Sequence, residues 1–117
     1  VTVETRTAVV PATKTVADVL RHAALIIEER GWHNDQPSVY QTRQGTVCMI
    51  GAVASATGLS DPDIDPWPTV VDAVREFLRD RLRDVSCAEE WNDAPGRTAP
   101  EVTVALRAAA DAWEADQ

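Results

Sequence analysis

Aromatic side chains are scarce in this chain of 117 residues: they make up 5% of it, as one Phe, one Tyr and four Trp. A core must then be built largely from Val, Ala, Leu and Ile with a few Trp anchors (Trp32, Trp67, Trp91, Trp113), a composition that suits packed helices. Basic charge is also short. Eleven Lys and Arg stand against 19 Asp and Glu, giving a net charge of −8 and a pI near 4.6. Such a chain is repelled by phosphates, which argues against nucleic-acid binding through a basic face and against docking on anionic membranes. A cationic protein, or a protein that itself binds DNA, remains a suitable partner, and excess carboxylate also serves solubility. Cysteines number two, Cys48 and Cys87, enough for one bridge at most. No apolar run approaches the roughly 18 residues needed to span a bilayer, and no secretory leader precedes the first helix. The expectation is a cytoplasmic protein with reduced thiols.

With 44% apolar residues, the chain is long enough to bury one core without disulfides or metal. Residues 1–12 read as an extended arm or edge strand, because Val and Thr alternate there before Pro11. Residues 13–117 read as one helical domain, with no internal repeat, low-complexity tract or linker.

The first helix is expected over residues 15–30. Thr15 and Asp18 form a T-x-x-D capping box, and Val16, Leu20, Ala23 and Ile27 recur at helical spacing. Gly31 is expected to supply a left-handed stop. Residues 32–44 are polar and irregular. A short hairpin within residues 38–48 would pair residues 39–41 with 46–48 around Arg43, Gln44 and Gly45. Residues 46–57 are small and apolar, and their Ala, Gly and Ser content favours a helix over a buried strand. After a proline-rich loop, Thr69 and Asp72 suggest a second capping box opening a helix to about Asp84, with Val71, Val74, Leu78, Leu82 and Val85 buried. Ser86 with Glu89 suggests one short helical turn through Trp91. Thr98 with Glu101 is a further capping box, with Pro100 tolerated in the first turn and Val102, Leu106, Ala109 and Trp113 facing inward. The fold class is therefore mainly α: a bundle of about four helices plus a short turn.

Several constellations bear on chemistry. A nucleophilic Cys needs a base and a group to orient that base. Cys48 with His33 (or His22) and Asn92 or Asp93 supplies the residue types, although Cys48 lies in an apolar segment where a cysteine is usually a core residue. For zinc, His22, His33, Cys48 and Cys87 lack the close pairing of structural sites. Asp61, Asp63, Asp65 and Asp72 match positions 1, 3, 5 and 12 of a calcium loop. Position 6, however, holds Pro66 in place of Gly, and position 12 holds the shorter Asp, so a standard EF-hand is excluded. No metal or cofactor is assigned.

The most distinctive stretch is residues 91–98, WNDAPGRT. Asn92 and Asp93 are turn formers, Pro95-Gly96 makes a tight reversal, and Trp91 can bury its ring beside the last helix. It reads either as a latch joining two helices or as a binding site using Trp91, Asn92, Asp93 and Arg97, with Trp67 between two prolines as a further binding candidate.

Three blocks, Gly31-Trp32, Val47-Cys48-x-x-Gly51-Ala52, and Trp91-Asn92-Asp93 followed by Gly96-Arg97-Thr98, resemble a small domain of unknown function found in actinobacteria and in the phages that infect them. Met49 and Ile50 stand where Ala and Leu are common in that family. The resemblance begins at about Ala17 and implies a fold and a source but no mechanism. Three functional expectations follow from the whole sequence. The first is a non-enzymatic accessory protein that binds another protein, the second a cysteine-dependent enzyme using Cys48, and the third an acidic DNA mimic. The N-terminal arm offers an exchange element for a homodimer.

Overall fold

The computed structural model describes residues 15–34, 42, 45–58, 67–81 and 88–116, apart from the side chain of Trp67. Among these residues there are five helices and no strand: α1 (Val16–Arg30), α2 (Met49–Thr57), α3 (Trp67–Asp80), α4 (Ala88–Asp93) and α5 (Ala99–Ala115). The mainly helical bundle expected from the apolar spacing is what forms. The N-terminal arm, Asp61, Asp63, Asp65, Leu82, Val85, Ser86 and Cys87 lie outside the described residues.

Helix α1 is the centre of the bundle and packs chiefly against α5 and α2. It begins on the expected box: Thr15 Oγ1 accepts from the Asp18 amide at 3.1 Å, and Asp18 accepts from the Thr15 amide at 3.3 Å. Val19, Leu20, Ala23 and Ala24 are fully enclosed, and adjacent alanines let neighbouring helices approach closely. Helix α5 answers with buried Val102, Ala105, Leu106, Ala109 and Ala110. At the rim, Arg21 bonds Asp111 at 2.8 Å and Glu114 at 2.6 Å, while Arg107 bonds Glu28 at 2.9 Å. Advancing along α1 thus means retreating along α5, so the two helices run antiparallel. These exposed pairs set register more than they add stability.

Three expectations change in detail. Gly31 has φ 93° and ψ 158°, a positive-φ but extended conformation outside the left-handed helical well. It turns the chain sharply from α1 into Trp32, and a β-carbon there would come within 3.1 Å of Thr46 Cγ2. Val47 pairs with Trp32 in an isolated parallel bridge, through His33 N–H to Val47 O (3.1 Å) and Val47 N–H to Gly31 O (3.0 Å). Of the expected hairpin, residues 39–41 lie outside the described residues. Thr42 and Thr46 do close a tight turn, with the Thr42 amide donating to Thr46 O at 2.9 Å. Helix α3 starts at Trp67, so Thr69 lies inside its first turn and does not cap it. Pro68 explains the earlier start: its φ is already helical and a first-turn residue needs no amide.

The small apolar segment is helical, as its composition suggested. Cys48 is its N-cap, and Gly58 ends it in the left-handed conformation (φ 71°, ψ 8°). Within α3, Val70, Val74 and Leu78 are fully buried, while Val71 and Phe77 are half-buried against the core. The short turn through Trp91 is α4, and the Thr98–Glu101 box opens α5 with both reciprocal bonds present.

Candidate functional site

Two places in the bundle gather side chains that bear on function. The first is a buried polar knot around Asn92, which is 1% exposed. Helix α4 carries this residue inward beside Trp91. Its Oδ1 accepts from Trp32 Nε1 at 2.6 Å and from the Met49 amide at 3.0 Å. Its Nδ2 donates to His33 O at 3.3 Å and to Asp93 Oδ1 at 2.9 Å. A side-chain amide offers two donors and two acceptor sites, and all four are used. The orientation of the amide is therefore fixed, because turning it over would set N–H against N–H at Trp32 and Met49.

The same knot organises Cys48. Met49 supplies the first amide of α2, one of the donors that a helix start leaves without an intrahelical partner, and Asn92 takes it. The Gly51 amide, two residues on, donates to Cys48 Sγ at 3.4 Å. The N-terminus of α2 is thus closed from inside the protein. Burial pushes the Cys48 thiol above its ordinary pKa; the Gly51 and Ile50 amides pull it down, the Asp93 carboxylate pushes it up again, and the balance is upward. A helix N-terminus usually favours thiolate, but here desolvation outweighs it.

The structure accordingly brings together four of the residues singled out for chemistry. Asn92 ties His33 to the start of α2 at Cys48, and Asp93 is near enough to act on the thiol. His33 is buried, whereas His22 is exposed on α1. Among the described residues no three His, Cys, Asp or Glu side chains gather as a metal site.

Trp91 and Arg97 form the outer edge of this region. The Arg97 guanidinium lies 3.9 Å from the centroid of the Trp91 ring. Its Nε donates to Trp91 O at 2.9 Å, and its Nη1 reaches Glu101 Oε2 at 3.2 Å. Gly96, at φ 83°, lets the PG turn bring Arg97 back over the ring. Trp67 opens α3, and its side chain is not among the described groups.

The second place is a groove between α3 and α5 that residue-by-residue reading of the sequence did not single out. One depression, of about 460 Å³, has Phe77, Trp91, Val104, Ala105 and Ala108 as its apolar lining, with Arg97 and Glu101 at its edge. A smaller one, of about 50 Å³, continues along the helices past Ala109, Ala112 and Trp113, flanked by Glu76, Asp80, Arg81 and Asp116. The two share Phe77. Val104 is 64% exposed, and only Leu25 on α1, at 50%, is a comparably exposed large apolar side chain among the described residues. A sequence signal existed. Val104 and Ala108, four apart, lie well round the helix from the inward residues Val102, Leu106 and Ala109, so α5 carries apolar side chains outside the arc that α1 covers.

The decisive comparison is with a family model that matches residues 11–112, nearly the whole chain. The chain belongs to the family of unknown function DUF6197. The match spans all five helices up to the last turn of α5, including the Asn92 knot and most of the groove. No curated protein and no solved structure matches this DUF6197 chain.

Proposed function

We propose that this DUF6197 protein is a non-enzymatic accessory protein that acts by binding another protein along the α3–α5 groove. The observation that carries the reading is the groove itself, an open apolar trough in which Val104 stands 64% exposed on a helix whose other face is fully packed. Exposed apolar patches with polar rims are where soluble proteins meet partners. The charge of −8 supports a protein partner over a nucleic acid or an anionic membrane. No helix among the described residues is long and apolar enough to cross a membrane, which fits action in the cytoplasm. An actinobacterial or phage source is proposed from the three sequence blocks that resemble such proteins.

A cysteine-dependent enzyme would use Cys48 with His33 and Asn92 or Asp93. Against it stands a thiol that burial keeps protonated and that already caps α2. A DNA mimic would engage its partner through carboxylates alone, without an apolar floor.

The test is cross-linking capture from an actinobacterial lysate with wild type, Ala108→Gln and Leu25→Gln. A partner held by wild type and Leu25→Gln but lost with Ala108→Gln supports the groove. A partner lost only when surface carboxylates are neutralised, with Ala108→Gln harmless, supports the DNA mimic and overturns it.

A further inference from the structure

The groove has a shape and a charge, and together they describe what fits it. Its α5 wall runs from Glu101 to Asp116, a length of about 22 Å at the helical rise per residue. That matches roughly four turns of a helix laid alongside. The floor is made largely of Ala105, Ala108, Ala109 and Ala112, small residues that let another backbone come close, with Phe77 at the middle. Ridges of a third helix settle into the trough between two others in this way. The described residues offer no sheet edge to which an extended peptide could add as a strand.

The rims set the sign of the partner. Glu76 and Asp80 on α3 and Glu101 and Asp116 on α5 border the trough, against Arg81 and Arg97. Of these, Arg97 pairs with Glu101 while stacking on the Trp91 ring, and Asp80 pairs with Arg79. The excess then falls to Glu76 and Asp116 against Arg81, and it leaves the trough weakly acidic. The whole chain, at −8, adds a field of the same sign. A second copy of this chain would bring its own acidic rim to the same place.

We infer that the groove receives an amphipathic helix with an apolar face and basic flanks, contributed by a partner protein. The inference rests on the binding reading above and adds the chemistry of the occupant. Apolar anchors at i, i+3, i+4 and i+7 lie over Phe77, Ala108 and Trp113, and Lys or Arg on the flanks face Glu76 and Asp116. Apolar contact supplies the docking, and charge supplies the choice of partner and the encounter rate.

The test uses the full chain and three synthetic helical peptides of about 16 residues. All three share one Leu face and differ only in polar residues, which are Lys/Arg, Gln or Glu. Binding is read by calorimetry, and oligomeric state by light scattering. The expected order is basic tightest, then Gln, then acidic, with at least about tenfold between the extremes, shrinking as salt rises from about 0.05 to about 0.5 M. Ala108→Gln weakens all three peptides, Glu76→Lys with Asp116→Lys removes the preference for the basic one, and Leu25→Gln changes neither. Equal affinity for the three peptides, lost with Ala108→Gln, overturns the basic partner but leaves the groove as a docking site. Absence of binding by every peptide, or binding indifferent to Ala108→Gln, overturns both readings. A doubled mass that Ala108→Gln returns to monomer makes a second copy the occupant and overturns the inference.

Discussion

The indole N–H of Trp32 donates to the side-chain oxygen of Asn92 at 2.6 Å, across 60 positions of sequence. This bond, with the Met49 amide on the same oxygen, joins the end of α1, the start of α2 and the short helix α4 at one buried atom. The two most distinctive sequence blocks, GW and WND, therefore meet each other, and the block containing Cys48 meets both.

Replacing Asn92 tests how much of the fold hangs on that atom. Asn92→Asp keeps an acceptor for Trp32 and Met49 but removes the donors to His33 O and Asp93. It also places a second carboxylate beside Asp93 in a buried site. The expected loss is about 2–4 kcal/mol, read from urea unfolding midpoints, because the His33 carbonyl loses its donor and a charge is desolvated. Trp32→Phe, which removes one donor and a little volume, should cost about 1–2 kcal/mol. A loss below about 0.5 kcal/mol for Asn92→Asp would mean that the knot is not a structural centre.

The elements that were legible in the sequence are the local ones. Thr15 with Asp18 and Thr98 with Glu101 announce helix starts within four residues, and both boxes form as the spacing predicts. Thr69 with Asp72 has the same pattern, yet Pro68 lets α3 begin two residues earlier, so a local signal was overridden by an adjacent one. The types of residue in the knot are visible in the sequence, where Asn92 reads as a turn former. Its actual partners at Trp32, His33 and Met49 follow from tertiary packing and leave no local trace. The groove was missed because Val104 and Ala108 read as ordinary helix residues until the packing of α5 shows which arc α1 leaves uncovered.

Cys48 is expected to behave as a helix cap. Serine accepts an N-cap bond at least as well as a thiol, so Cys48→Ser should stay within about 1 kcal/mol of wild type, whereas Cys48→Ala, which loses the bond from Gly51, should cost about 1–2 kcal/mol. Alkylation by iodoacetamide should be slow at neutral pH and become fast on unfolding. The sign of the pH effect follows from the raised thiol pKa. In the unfolded chain the thiol ionises first, so the folded state binds more protons and stability falls as pH rises through the alkaline range. The stabilisation is present below the unfolded pKa and is lost through the folded one. In Cys48→Ser that alkaline loss should shrink. Rapid alkylation of the native protein near pH 7 would instead reinstate Cys48 as a nucleophile.

Glu101 gives the opposite sign at the acid end. Bonds from the Thr98 amide and hydroxyl, and then Arg97, hold its carboxyl below the usual range. Its contribution is therefore present above the unfolded carboxylate pKa and lost as pH falls through the lower folded one. Glu101→Gln should flatten the acid limb of a stability–pH curve. Arg97→Lys keeps the charge but loses the flat stack on Trp91 and should cost about 0.5–1 kcal/mol at neutral pH. If the two variants shift the acid limb equally, the bonds from Thr98 are not the main cause.

Val104 separates stability from function most cleanly. It is 64% exposed on α5, so Val104→Gln gives up little buried area. Gln is also a somewhat better helix former than the β-branched Val, which leaves the expected change in stability within about 0.5 kcal/mol of zero, on either side. A residue retained only for folding would then show no phenotype. Binding in the groove predicts otherwise, since Val104 lines the larger depression beside Trp91 and Phe77. A polar side chain there leaves an amide to be desolvated against the partner's apolar face, and affinity should fall roughly tenfold or more. The control is Leu25→Gln on α1, matched in exposure and in chemistry but remote from the groove. Equal binding by Val104→Gln and wild type, with both fully folded, would remove the larger depression from the binding surface.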